Sequence, residues 1–287
     1  MKENLDYILF VYGLSFFVLS TIAFRLWREK LKTSLQWQWL ALFGLLHGMS
    51  KWLGMLAMSA SFYFSLRIFT LIMMAVSFCC LFEFGRRSCR DDKGHSLVGI
   101  WMYAPLILLC SVCGLHGLTG WNIGFRYSFG LFGGLLAGLA FFLRAKDTPF
   151  DHKEWLRMGA VGFFLYAIAS GFVVPRLDFF PASIVNDDAF LRLTGVVVQV
   201  IRALCAGLIA FFCFLIFINL RISWSSESVR RHIKRVFLWQ ALILITFVIL
   251  GWFFVHKVSE EKIASKKEYL LKQARILSKS INPEHIM

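Results

Sequence analysis

Eight apolar runs separated by short polar bursts set the plan of the chain. They are Leu5 to Leu26, Leu35 to Ala60, Ser61 to Phe84, Leu97 to Leu118, Trp121 to Leu143, Leu156 to Val174, Ala189 to Leu220 and Val236 to Val255. Each is close to the roughly 20 residues that carry an α-helix across a bilayer. Barrel strands need only about ten residues and alternate in polarity, which these runs do not. A helix satisfies its own backbone inside lipid, so the pattern predicts an all-α, polytopic membrane bundle of eight transmembrane helices. Three regions follow: 1–220 as a seven-helix bundle, 221–256 as a basic loop with the eighth helix, and 257–287 as a polar helical tail. In the tail, Ile263, Leu270 and Leu277 recur at a spacing of seven and form one apolar stripe.

Composition agrees with this plan. The 287 residues are 58% hydrophobic and only 17% charged, too apolar for a soluble domain of this size, which excludes soluble enzymes and secreted disulfide scaffolds. The net charge of +14 does not indicate nucleic acid, because the basic residues cluster at the ends of apolar runs and form no continuous polar face. They set topology instead. With the N-terminus outside, seventeen of the 31 Lys and Arg fall in cytoplasmic connections, against Lys2, Arg176 and Arg192 on the other side. The seven Lys and Arg after His256 then lie outside, as long translocated domains permit. The tail is therefore expected to begin an extracytoplasmic domain that is cut short, its helix ending at Asn282 and Pro283.

Phosphate-binding loops and paired catalytic carboxylates are absent from the sequence, and no connection is long enough to hold a catalytic domain. The seven Cys lie almost entirely within spans, where cysteine packs as a small apolar residue. Cys110, Cys113 and His116 sit at steps of three, but a fourth ligand is not evident, so neither a metal nor another cofactor is expected.

Charge at membrane depth costs roughly 3 kcal/mol and is paired or functional. Five residues stand out: His47 and Lys51, four apart in the second run, with Arg67, Arg126 and Arg202 in the third, fifth and seventh. All four Lys and Arg fall in the outer half of the bundle. Their nearest acids are Asp178, Asp187 and Asp188, in the connection before the seventh run. Two arrangements meet this. In one, the loop acids fold over the mouth and neutralise the cations, with Gln199, Tyr127 and backbone carbonyls taking the remaining donors. In the other, the cations form an outward pocket for an anionic or carbonyl-bearing ligand, walled by Trp52, Tyr127 and Phe side chains, with the acidic loop as its gate. His47 alone reads as a hydrogen-bonded core residue. Glu83 is expected to pair with its basic neighbours, Gly130, Gly133, Gly134 and Gly138 to allow close helix packing, and Pro105 to kink the fourth span.

Four stretches carry a family resemblance: Phe10 to Phe17 (FVYGLSFF), Leu42 to Gly48 (LFGLLHG) with Lys51 and Trp52, Phe82 to Arg87 (FEFGRR), and Val174 to Ser183 (VPRLDFFPAS). Together they resemble the seven-helix membrane sensory region that precedes the output domains of bacterial sensor histidine kinases and diguanylate cyclases. The resemblance covers about Leu5 to Leu220. Lys51 stands where that region usually carries an acid beside the tryptophan. The eighth span and outward tail resemble the start of a Cache-like sensor domain. The resemblance implies a sensory input module in a bacterial inner membrane, in contact with lipid and working as a homodimer, which is expected to sense a small ligand or a membrane state and relay it by helix repacking. A secondary transporter of an anionic solute, or a haem or quinone redox protein, are the rival readings of the same buried charges.

Overall fold

Long continuous apolar runs leave the backbone one way to satisfy itself in lipid, and the chain takes it. A computed structural model describes residues 5–29, 35–57, 63–89, 98–146 and 150–222, and beyond them 249, 253, 260, 264, 267, 268 and 270–276. Among the described residues every extended regular element is a helix. The chain divides into two units, Met1–Lys234 and Arg235–Met287.

In the first unit α1 spans Leu5–Arg28, α2 Trp37–Ala57 and α3 Tyr63–Ser88. Helix α1 opens on Asp6 and closes on Arg25 and Arg28, each charge complementing the helix end it lies beside. After a single 3-10 turn, Ile100–Met102, come α4 (Tyr103–Gly114) and α5 (Gly117–Phe125). A π turn, Arg126–Gly130, then joins α5 to α6 (Leu131–Lys146) in one unbroken helix of 30 residues. Helix α7, Phe150–Ala167, ends in a second π turn, Ile168–Phe172. Short α8 (Asp187–Thr194) and long α9 (Val198–Ile222) complete the unit.

Among the described residues, six helices are long and apolar enough to cross a membrane. They pack as a closed ring: α1 on α2, α2 on α3, α3 on α6, α6 on α7, α7 on α9, and α9 back on α1. Helix α4 lies outside the ring against α5. Its outer face exposes Ile107, Leu108 and Val112, as a lipid-facing surface should.

Glycines set the closest approaches in the ring. A Cβ on Gly44 would stand 2.7 Å from the Phe16 carbonyl oxygen, and one on Gly133 would stand 2.8 Å from the Phe82 amide nitrogen. Gly134 and Gly138 likewise abut Ala167 and Phe164, so the glycine-rich stripe of α6 is a packing surface, as its spacing suggests.

Three expectations change. The fourth apolar run folds as 15 helical residues, Ile100–Gly114, about 22 Å long at 1.5 Å per residue. Pro105 sits in the first turn of α4, where its missing N–H has no partner to lose, so it starts that helix instead of kinking it. The seventh run is two helices. Gly195 adopts φ 70°, a left-handed conformation that closes α8, and the spanning helix begins only at Val198. The eighth run lies outside the described residues except for Ile249 and Phe253, which are helical. In the second unit, Leu270–Ile276 is helical and exposed, while Ile263 and Leu277 of the apolar stripe lie outside the described residues.

Candidate ligand-binding site

The antiparallel ring brings the end of α2, the start of α3, the start of the long α5–α6 helix and the start of α9 to one end of the bundle. Loop residues 173–186 close over the same end. There Lys51, Arg67 and Arg126 line a single cavity of about 360 Å³ between α2, α3 and α5. Each helix contributes one stripe. Lys51, Gly54 and Ala57 come from α2, Arg67, Thr70, Leu71 and Met74 from α3, and Leu118, Thr119, Asn122 and Arg126 from α5 and its π turn. Among the described residues no carboxylate lines this cavity.

Arg126 is 6% exposed and is held from two sides. Its Nε donates to Asn122 Oδ1 at 2.8 Å, one helical turn back, and its guanidinium donates to the Ser170 carbonyl at 2.9 Å. Arg202 is 3% exposed, donating to the carbonyls of Ala169 at 2.8 Å and Val173 at 2.6 Å, and to Asp187 Oδ1 at 3.4 Å. All three carbonyls belong to the π turn that ends α7 or to the residue after it. Helix ends leave carbonyls without intrahelical donors and carry a partial negative charge, so both arginines cap the C-terminus of α7. The neutralisation foreseen for the loop acids is thus supplied mainly by a helix end.

Only one of the three acids takes part. Asn186 caps α8 by accepting from the Ala189 amide at 2.9 Å, and the Asp187 amide donates to Val174 O at 2.9 Å, which turns Asp187 inward to Arg202. Asp187 is also within electrostatic reach of Lys51 and Arg126. Asp178 and Asp188 are exposed. Lys51 places its ammonium 5.3 Å from the centre of the Tyr12 ring.

Three other foreseen residues lie away from the cavity. Trp52 stacks on Phe10 and donates to the Phe10 carbonyl, locking α2 to α1. Tyr127 packs with Cys113, Ile123, Val174 and Ala182, and among the described residues its hydroxyl has no hydrogen-bond partner; nor has Gln199 Oε1. Glu83, at the opposite end, accepts from Arg86, Arg87 and the Tyr103 hydroxyl, as its basic neighbours suggested.

His47 sits directly beneath the cations and is fully buried among Phe16, Phe43, Phe78, Tyr12 and Tyr166, with ring centres 4.6 Å (Phe16) to 6.3 Å (Tyr166) away. Its hydrogen bonds form a directed chain. The Ser77 hydroxyl donates to Met74 O at 2.6 Å, so it accepts from His47 Nδ1 at 2.8 Å, which leaves Nε2 to accept from the Tyr166 hydroxyl at 3.2 Å. The histidine therefore keys three helices together. Close by lie the buried Tyr12 and Ser170.

Sequence reading missed Thr70, Asn122, Ser77 and Tyr166. Asn122 was findable, since it precedes Arg126 by four residues and so shares its helix face. Tyr166 offered no local signal, because its partner lies 119 residues away. Comparison of the chain with family models, with curated proteins and with solved structures finds no match to any of them.

Proposed function

We propose that the chain is the membrane-embedded input module of a bacterial signal-transduction receptor of the histidine kinase or diguanylate cyclase type. It senses a small anionic ligand and relays it by helix repacking. The observation that carries this reading is that Lys51, Arg67 and Arg126 line one cavity at the end of the bundle, while the middle of the ring is filled by His47 with the fully buried Phe16, Phe43, Phe78 and Tyr166. A solute can be held there, while the centre of the ring offers it no continuing path.

Arg126 gives binding a consequence. Its guanidinium faces the cavity and also holds the Ser170 carbonyl at the end of α7. An anion that draws Arg126 toward itself competes with that carbonyl. The π turn of α7 is the element that responds, because its backbone bonds are already displaced from the α-helical ladder and Arg202 links it to α9.

In the inner membrane the chain crosses eight times, with α4 as a short span and the N-terminus outside, so that the cavity faces the extracytoplasmic side. Arg25, Arg28, Arg86, Arg87, Arg144 and Lys146, which close α1, α3 and α6 at the opposite end, support this orientation under the positive-inside rule. The working unit is a homodimer, as in the receptors the sequence resembles.

Proteoliposomes carrying the full chain test the reading against transport. Offered radiolabelled organic anions, they are expected to retain the same amount with and without a sodium or proton gradient, equal to the amount bound in equilibrium dialysis. Gradient-driven accumulation would establish a transporter instead.

A further inference from the structure

We infer that the cavity takes an amphiphilic oxyanion, a carboxylate or phosphate group carried on an apolar body. The inference rests on the reading of this cavity as the ligand site and names what enters it. Lys51, Arg67 and Arg126 converge on one volume with no carboxylate among its described lining residues. Guanidinium groups offer paired donors that match the oxygens of carboxylate and phosphate.

Two further polar groups in the same wall are under-used. Among the described residues Thr70 Oγ1 is buried with no partner, and Asn122 Nδ2 reaches only the weakly accepting sulfur of Met74 at 3.8 Å. Both can serve an oxyanion that the arginines hold.

The rest of the wall is apolar: Leu71, Met74 and Leu118. The cavity, about 360 Å³, sits at the low end of the roughly 300–1,000 Å³ usual for organic ligands, and a bare inorganic anion would leave most of it unfilled. On α3, Phe64 lies one turn before Arg67 and is 65% exposed, so apolar surface adjoins the cavity. A ligand that partitions into the leaflet has an approach from its own phase.

The test uses the purified full chain in phosphatidylcholine nanodiscs, titrated calorimetrically with decanoate and dodecyl phosphate, and with decanol and inorganic phosphate as controls. Both amphiphilic anions are expected to bind at least about tenfold tighter than either control, a gap of about 1.4 kcal/mol. Arg67→Gln is expected to weaken them about tenfold without affecting decanol. Leu118→Trp, which fills the cavity, should abolish binding while the thermal midpoint is kept. Should that variant fail to fold, Thr70→Val reads the same wall with a near-isosteric change.

Equal affinity for decanol and decanoate, or for inorganic and dodecyl phosphate, would overturn the inference, as would unchanged binding in both Arg67→Gln and Thr70→Val. Adding phosphatidylglycerol to the nanodiscs separates the sources: competition with decanoate assigns the site to a lipid headgroup, and no competition assigns it to a free amphiphile. Selective binding combined with gradient-driven uptake would keep this inference and overturn the receptor reading. Absent selectivity would do the reverse.

Discussion

Arg202, which is buried, and Asp187, which is partly exposed, form an ion pair whose two members do unequal work. Arg202 supplies charged hydrogen bonds to two carbonyls at the end of α7, and a hydrogen bond from a charged donor contributes about 1.5–3 kcal/mol. Asp187 contributes one contact at 3.4 Å from a side chain that is 31% exposed, a setting in which ion pairs contribute at most about 1 kcal/mol. Arg202→Gln is therefore expected to lower stability by at least about 2 kcal/mol, and Asp187→Asn by less than about 1 kcal/mol. Thermal unfolding in detergent distinguishes them, and equal losses would mean that the acid, not the helix end, balances the arginine. This asymmetry was invisible in the sequence. That Arg202 is buried is readable from its place in an apolar run. That its partners are the carbonyls of Ala169 and Val173 depends on a π turn, which leaves no trace in hydrophobic periodicity. Asp187 likewise separates from Asp178 and Asp188 only through the Asn186 cap that orients it.

At the scale of elements, the ring depends on backbones approaching closely where glycine removes the side chain. Gly44→Ala puts a methyl 2.7 Å from the Phe16 carbonyl on α1, and Gly133→Ala puts one 2.8 Å from the Phe82 amide on α3. Each should cost about 1–3 kcal/mol, since backbone cannot move aside as a side-chain tip can. Gly207→Ala on α9 meets only Ser15 Oγ at 4.0 Å, so it should be neutral or stabilising by up to about 1 kcal/mol through helix propensity. Thermal midpoints of the three variants check this, and a loss at Gly207 matching the other two would detach the effect from helix crossing. The long helices α1, α2 and α3 were legible because their apolarity is continuous, and the α6 glycines because they recur on one face. The seventh run was not legible as two helices. Ala189, Phe190 and Leu191 are apolar enough to extend the span, and only the left-handed turn at Gly195 separates them from it.

The whole molecule concentrates cations at both ends of its bundle, with different consequences. At one end Arg86 and Arg87 are paired with Glu83. At the other, Lys51, Arg67 and Arg126 surround a cavity whose described walls hold no acid. The central claim is that this cavity is reached from outside the cell and attracts anions. Thr119→Cys tests it most directly, because residue 119 lines the cavity, is partly exposed and leaves all three cations in place. Intact cells carrying the variant would be treated with membrane-impermeant anionic and cationic thiosulfonates, each rate taken above the wild-type background and relative to reaction with a free thiol. The account predicts labelling from outside, with the anionic reagent favoured several-fold by the local positive potential. Labelling only after the cytoplasmic face is opened, or a preference for the cationic reagent, would contradict it.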